Sequence, residues 1–311
     1  MRKSTILLTA TCIAALAGAF VWLQQRPAQA RPMTGEPNAA SSRSARLARV
    51  HDRQVALAER LKAAHEIPED LTDEELRQLM ASLSRPIEER TAENELMAIN
   101  GLMDRLRVSG LVCGEYATAL CSLIRGEKTH PVVRDYAMQH AVHWICEARS
   151  GHSLSQISDT DRTNLLSCMV SYMQLPNSLQ ETGYGTALNL IRNLSNPYPE
   201  DAAEIFSLCA PRITAVASGA ESGPLANRIT AIQSLPYLPD RAASLNLVRG
   251  MINDFSGDSP VRLVAIATLG SLGEKADLAT LRKIQASESN FAYAARAAID
   301  RLESSVAATS R

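Results

Sequence analysis

The chain has 311 residues, of which 46% are hydrophobic and only 4% aromatic, and its net charge is −1. Such a length allows one extended repeat array or two compact domains, and the apolar content suffices for a real core. The balanced charge gives no global pull toward nucleic acid or an anionic membrane surface, so nucleic acid is not expected as a partner.

The N-terminus has the layout of an export signal. Arg2 and Lys3 precede an uncharged, mostly apolar run of eighteen residues at 6–23. Gln24, Gln25, Arg26 and Pro27 end that run, and Ala28 and Ala30 then supply the small residues of a cleavage site. Residues 1–30 are therefore expected to be a signal peptide, with Arg31 as the mature start. The run is almost long enough to cross a bilayer, so an uncleaved membrane anchor is the alternative. A lipoprotein signal is not expected, because Cys12 follows Leu8-Thr9-Ala10-Thr11. Either main reading places the remainder outside the cytoplasm, in the periplasm or secreted.

Residues 31–42 are rich in Pro, Gly, Ser and Ala and read as a flexible linker. Residues 43–92 read as a charged helical lead-in. In 43–65 the stripe Leu47, Val50, Leu57, Leu61 lies on one side, with Arg43, Arg46, Arg53 and Arg60 mostly elsewhere. Pro68 ends that pattern, and Thr72 with Glu75 makes a capping box for a short helix through Leu83. Charge is uneven here: residues 26–65 sum to +5 and residues 66–98 to −7. Solvated helix faces are the expected explanation. Packing of the two segments on each other, or a basic segment facing an acidic partner or lipid headgroups, is the alternative.

From about residue 93 to 303 helix follows helix, with breaks near Gly110, Pro131, Gly151, Pro176, Pro197, Gly219, Pro236, Gly257 and Gly273. No segment alternates with period two, so strands are not expected. A helix ending near Leu302 would cap the array, and residues 304–311 read as a disordered tail.

The strongest signal is internal similarity. Arg228-Ile-Thr-Ala231-Ile232-Gln-Ser-Leu235 recurs as Arg262-Leu-Val-Ala265-Ile266-Ala-Thr-Leu269, 34 residues later. A third copy keeps Ala298, Ile299 and Leu302, with Ala295 in place of the arginine, and a weaker one starts at Arg134 with Ala137, Met138 and Ala141. The three apolar positions share one helical face, on which a small Ala admits a neighbouring helix while Ile and Leu fill the groove. A hairpin of this kind buries its face only by stacking on copies of itself. The run from Val261 through Gly273 to Leu281 resembles a HEAT-type repeat, closest to the short variety of phycobilisome lyases. Pro131-Val-Val-Arg134-Asp-Tyr-Ala137 resembles the start of another copy. The period equals that of tetratricopeptide repeats, but their Trp, Leu-Gly and Tyr are missing. The resemblance covers about 130–148 and 225–303. It implies an all-α fold, an armadillo-like α-solenoid of HEAT-like hairpins, and carries no lyase activity with it.

Candidate chemistry is sparse. His140, His143 and Cys146 lie three apart on one helix near His130, but His140 to Cys146 spans almost two turns, so shared ligation of a metal is not expected. Gly183-Tyr184-Gly185 lacks any phosphate-loop pattern and reads as a turn opening a helix. Ser153 and Ser155 near His152 have no nucleophile elbow. The carboxylates at 69–75 and 88–95 read as solvated helix ends. Of Cys113, Cys121, Cys146, Cys168 and Cys209, an odd set, none forms C-x-x-C; most read as small buried side chains, with one or two disulfides as the alternative. No catalytic residue, cofactor or metal is expected. The expected function is a non-enzymatic scaffold binding a protein or peptide on its helical surface. The alternatives are an enzyme or accessory subunit using the groove, with the three histidines and Cys146 as its first candidates, and a membrane-tethered adaptor.

Overall fold

The computed structural model describes residues 39–67, 71–87, 92–108, 114–150, 157–254 and 258–309. Residues 1–38, with Ala28 and Ala30, lie outside the described residues, as do Gly110, Cys113, Gly151, His152, Ser153, Ser155 and Gly257. Among the described residues the fold is all-α. The helices are α1 (Ala39–His51), α2 (Leu57–His65), α3 (Asp73–Leu83), α4 (Ala92–Val108), α5 (Gly114–Arg125), α6 (Pro131–Ser150) and α7 (Asp159–Gln174). After the 3-10 segment Pro176–Gln180 come α8 (Gly183–Leu194), α9 (Pro199–Ser218) and α10 (Leu225–Ser234). A second 3-10 segment, Leu235–Tyr237, precedes α11 (Arg241–Asn253), α12 (Ser259–Leu272), α13 (Asp277–Ser287) and α14 (Ala292–Thr309).

Local chemistry sets the ends. Thr72 accepts from the Glu75 backbone N–H while the Glu75 side chain accepts from Thr72 N–H, so the capping box is formed. Ser158 caps α7 and Asp240 caps α11 in the same way, by side-chain acceptance. Gly219, at φ +85°, ends α9 in the left-handed conformation that favours glycine.

Three boundaries differ from expectation. The stretch 43–65 is two helices, because Asp52 accepts from the Gln54 backbone N–H and turns the chain without Pro or Gly. Helix α1 already starts at Ala39, inside the expected linker, and α14 continues to Thr309, where Ser and Ala offer nothing to stop it. Arg60, expected on the polar face, is buried.

The helices fall into two contact series. Even-numbered helices touch in an unbroken run, α2 on α4, α4 on α6, and so on to α12 on α14. Odd-numbered ones run α3, α5, α7, α9, and the Leu235–Tyr237 segment bridges α9 to α11. Every even helix carries the eight-residue pattern. Counting from its first position, slots four, five and eight are Ala231 and Ile232 in α10 with Leu235 just after it, Ala265, Ile266 and Leu269 in α12, and Ala298, Ile299 and Leu302 in α14. They are Ala63, Ala64 and Ile67 at α2, Ala98, Ile99 and Leu102 in α4, Ala137, Met138 and Ala141 in α6, and Ala187, Leu188 and Ile191 in α8. None is more than 7% exposed. The small fourth slot lets the rows close up: a Cβ on Gly270 of α12 would stand 2.7 Å from the Cα of Ala298.

Slot one has its own role. Arg60, Arg134, Arg228 and Arg262 each donate from Nε to the penultimate carbonyl of the preceding odd helix: Val50, Ile124, Ala217 and Ile252. Those oxygens have no partner within their own helix, so one guanidinium serves the same purpose four times. Three of the four also pair with a carboxylate: Arg60 with Glu95 at 2.6 Å, Arg134 with Glu181, and Arg262 with Glu288 at 2.9 Å. The acidic segment is therefore not merely solvated. Glu95 is 6% exposed, and Arg43 meets Glu75 at 2.7 Å, so among the described residues members of the basic and acidic stretches pair with each other, as in the alternative reading.

Candidate functional site

The histidines expected as first candidates separate into two places. His130 precedes α6, where its Nδ1 accepts from the Val132 backbone N–H. His140 lies ten residues on, about 15 Å along the helix axis. It is buried against α4, its Nε2 3.0 Å from Asn100 Oδ1, and Nδ1 has no partner among the described residues. Burial first, and the nearby Arg107 guanidinium second, push its pKa down to about 3. His143 is lowered by the same two causes, and burial raises the Cys146 thiol. Arg107 is held by Asp104 at 2.6 Å and by Glu147.

This seam between α4 and α6 is a buried polar contact with a neutral imidazole at its centre. Protonation of that imidazole is suppressed, so it cannot take up a proton near neutral pH. Among the described residues no three groups converge as metal ligands. Trp144 and Ile145 of α6 are fully buried.

The seam has a pH consequence. The unfolded chain takes up a proton at His140 below its ordinary value of about 6.5, and the fold does not. Stability present above pH 6.5 is thus lost as pH falls toward 3, at about 1.4 kcal/mol per pH unit. From pH 6.5 to pH 5 the wild-type chain should lose roughly 2 kcal/mol through this group. The urea midpoint of His140→Gln should fall less over that interval; parallel curves for the two chains would refute the assignment.

Gly183, Tyr184 and Gly185 form the buried first turn of α8. Asn227 of α10, itself 1% exposed, accepts from Gly185 N–H at 3.1 Å and donates to the Leu179 and Glu181 carbonyls at 3.0 and 2.8 Å. A Cβ at Gly185 would stand 2.8 Å from Asn227 Oδ1, so the glycine makes room for a side chain that ties two even helices together.

The outward face of the even row holds the arrangement that sequence reading missed. In slot six stand Asn100 of α4, Gln139 of α6, Asn189 of α8 and Gln233 of α10. Asn100 and Gln139 are half-buried, Asn189 and Gln233 exposed. Direct bonds fix their register. Asn100 meets His140 in slot seven of the next even helix, and Gln233 accepts from Arg192 of α8 at 3.1 Å. The Gln139 and Asn189 carboxamides have no hydrogen-bond partner among the described residues. Tyr136 and His143 of α6 flank the row half-buried, with Asn193 and Tyr237 exposed. The signal was present as one polar slot between apolar slots five and eight, repeated in successive copies.

Cys121 of α5 and Cys168 of α7 form a disulfide, with Cα atoms 5.7 Å apart, and Cys146 and Cys209 are free. No described helix is long and apolar enough to cross a membrane. Compared with models of known families and with curated proteins, the sequence matches none.

Proposed function

We propose that the chain is a non-enzymatic, extracytoplasmic interaction scaffold whose even row of helices holds an extended polypeptide segment. The row of carboxamides at Asn100, Gln139, Asn189 and Gln233 carries this reading. Packed helices lie about 8–10 Å apart. An extended chain advances about 3.3 Å per residue, so a helix-to-helix step matches roughly three residues of ligand. A carboxamide offers two donors and an acceptor, the complement of a backbone N–H and C=O, and so grips a peptide without reading its side chains. Flanking Tyr136 and Tyr237 supply apolar contact with a polar tip.

On this reading the two contact series are a HEAT-like α-solenoid that starts at α2, and the lead-in is its first turns. Residues 1–30 export the chain or tether it as a membrane-bound adaptor, and the Cys121–Cys168 bond suits an oxidising compartment.

Fluorescence anisotropy on a panel of unstructured peptides tests the proposal. Binding should tolerate sequence changes that keep the peptide extended. The double variant Gln139→Ala/Asn189→Ala should weaken it about tenfold or more, at roughly 1 kcal/mol per lost hydrogen bond, without shifting the melting temperature. Equal affinity in that variant would sink the proposal.

A further inference from the structure

One arginine of the even row lacks the kind of partner that the others have. Every other buried or half-buried arginine with a described side chain pairs with a carboxylate or donates to a main-chain carbonyl. Arg192, half-buried in the last turn of α8, does neither among the described residues. Its one hydrogen bond runs from Nη1 to the Gln233 carboxamide oxygen of α10, at 3.1 Å. Nε is buried without a partner; Nη2 also has none among the described residues, and it is not buried. An arginine at a helix C-terminus commonly bonds the last carbonyls, and this one bonds none of them.

The guanidinium is nonetheless held in place. It lies 5.9 Å from the centre of the Tyr237 ring, and that ring stacks on buried Phe206 at 5.3 Å. Asn189, three residues before Arg192, and Asn193, next to it, are exposed, and their carboxamides have no partner among the described residues. Residues three and four apart are neighbours on a helix surface, so Asn189 lies beside both Arg192 and Asn193. A positioned cation with an open Nη2, next to carboxamide N–H groups, is the complement of a carboxylate.

The position of this group in the even row selects which carboxylate. Slot six holds carboxamides from α4 through α10, then Ala267 in α12, whose methyl forms no hydrogen bond, and Asp300 in α14, which repels an anion. Arg192 stands beside the last two carboxamides, Asn189 and Gln233. A backbone gripped by carboxamides runs out of them where the arginine is.

We propose that this end of the row receives the free C-terminal carboxylate of the bound peptide, so that the ligand is a chain end. The inference rests on the peptide reading above. From Arg192 the peptide runs back past Gln139 to Asn100. Three helix-to-helix steps at about 8–10 Å each correspond to roughly eight residues of extended chain.

Fluorescence anisotropy with a Ser/Thr-rich peptide of about ten residues, long enough to span the row, tests it. The peptide is labelled at its N-terminus and made as the free acid and as the C-terminal amide. The acid should bind at least tenfold tighter than the amide. Arg192→Gln should abolish that preference while the amide still binds, and Arg296→Gln, exposed on α14, should retain it. Should Arg192→Gln fail to fold, Arg192→Lys, which keeps the charge without the fork, should narrow the preference. A third peptide, an amide with one internal Asp, separates chain end from side chain: affinity equal to that of the free acid would overturn the assignment. Equal binding of acid and amide, or an unaltered preference in the Arg192 variants, would overturn it and leave the peptide reading standing. Failure of all three peptides to bind would overturn both.

Discussion

Arg60→Met is expected to lower stability by about 3–5 kcal/mol, the usual result of removing one partner from a buried ion pair. Both side chains of the Arg60–Glu95 pair are nearly sealed, 6% and 7% exposed, and the contact at 2.6 Å is supported by a second at 3.4 Å. The substitution leaves Glu95 buried with Arg53 at 3.5 Å, and it frees the Val50 carbonyl at the end of α1. A second substitution discriminates the causes. Arg60→Met/Glu95→Leu replaces the charges by apolar groups of similar volume and should recover most of the loss, because such pairs are weak net stabilisers. The residual deficit, about 1–3 kcal/mol, is the orphaned carbonyl. Urea midpoints of the three chains measure it. A single substitution costing under 1 kcal/mol, or a double no better than the single, would show that the pair is solvated and the slot-one role is wrong.

The same slot explains what could be seen in the sequence. Copies at Arg228, Arg262 and Ala295 follow one another at 34 and 33 residues and share Ala-Ile-x-x-Leu, so a fixed period finds them. Those at Arg60, Glu95 and Tyr184 were hidden for two physical reasons. Their separations stretch to as much as 50 residues because helices and connections both vary in length, while the contact series needs only that even helices meet. Their first slot also changes chemistry. Glu95 occupies it as the partner of Arg60 instead of a second arginine, and Tyr184 occupies it beneath the Arg212 guanidinium, 5.8 Å from the ring centre. A pattern that demands arginine passes over both.

Burial of an arginine is likewise invisible to periodicity. Arg60 falls on the core face and reads as an error in the stripe until its carbonyl and carboxylate partners, 10 and 35 residues away, are known. The carboxamide row was equally out of reach. Each Asn or Gln is an ordinary surface residue in its own helix, and the row exists only once α4, α6, α8 and α10 are set side by side. The histidine group shows the converse. Spacing alone sets His140 and Cys146 almost two turns apart along one helix, and His130 a further ten residues before His140.

Reduction of Cys121–Cys168 is expected to cost about 4 kcal/mol, the loop-entropy value for cysteines 47 residues apart. The bond joins α5 to α7 and encloses α6, the helix that carries His140 and Trp144 into the core. Its removal therefore loosens the odd series where α6 depends on it, while the arginine contacts of the even series persist. The remaining thiols among the described residues are poor competitors for exchange. Burial pushes Cys209 up to about 11 and raises Cys146, so neither supplies much thiolate at neutral pH. One disulfide isomer should consequently dominate in an oxidising compartment. Peptide mapping without reductant should recover the segments around Cys121 and Cys168 linked, and Cys121→Ser/Cys168→Ser should melt with the reduced wild type. Recovery of both cysteines as alkylated free thiols from the chain purified under oxidising conditions would refute the pairing. An unchanged midpoint on adding dithiothreitol would refute the energetic role, and would leave the packing of α5 on α7, with Leu120, Leu165 and Met169 fully buried, to hold that part of the fold alone.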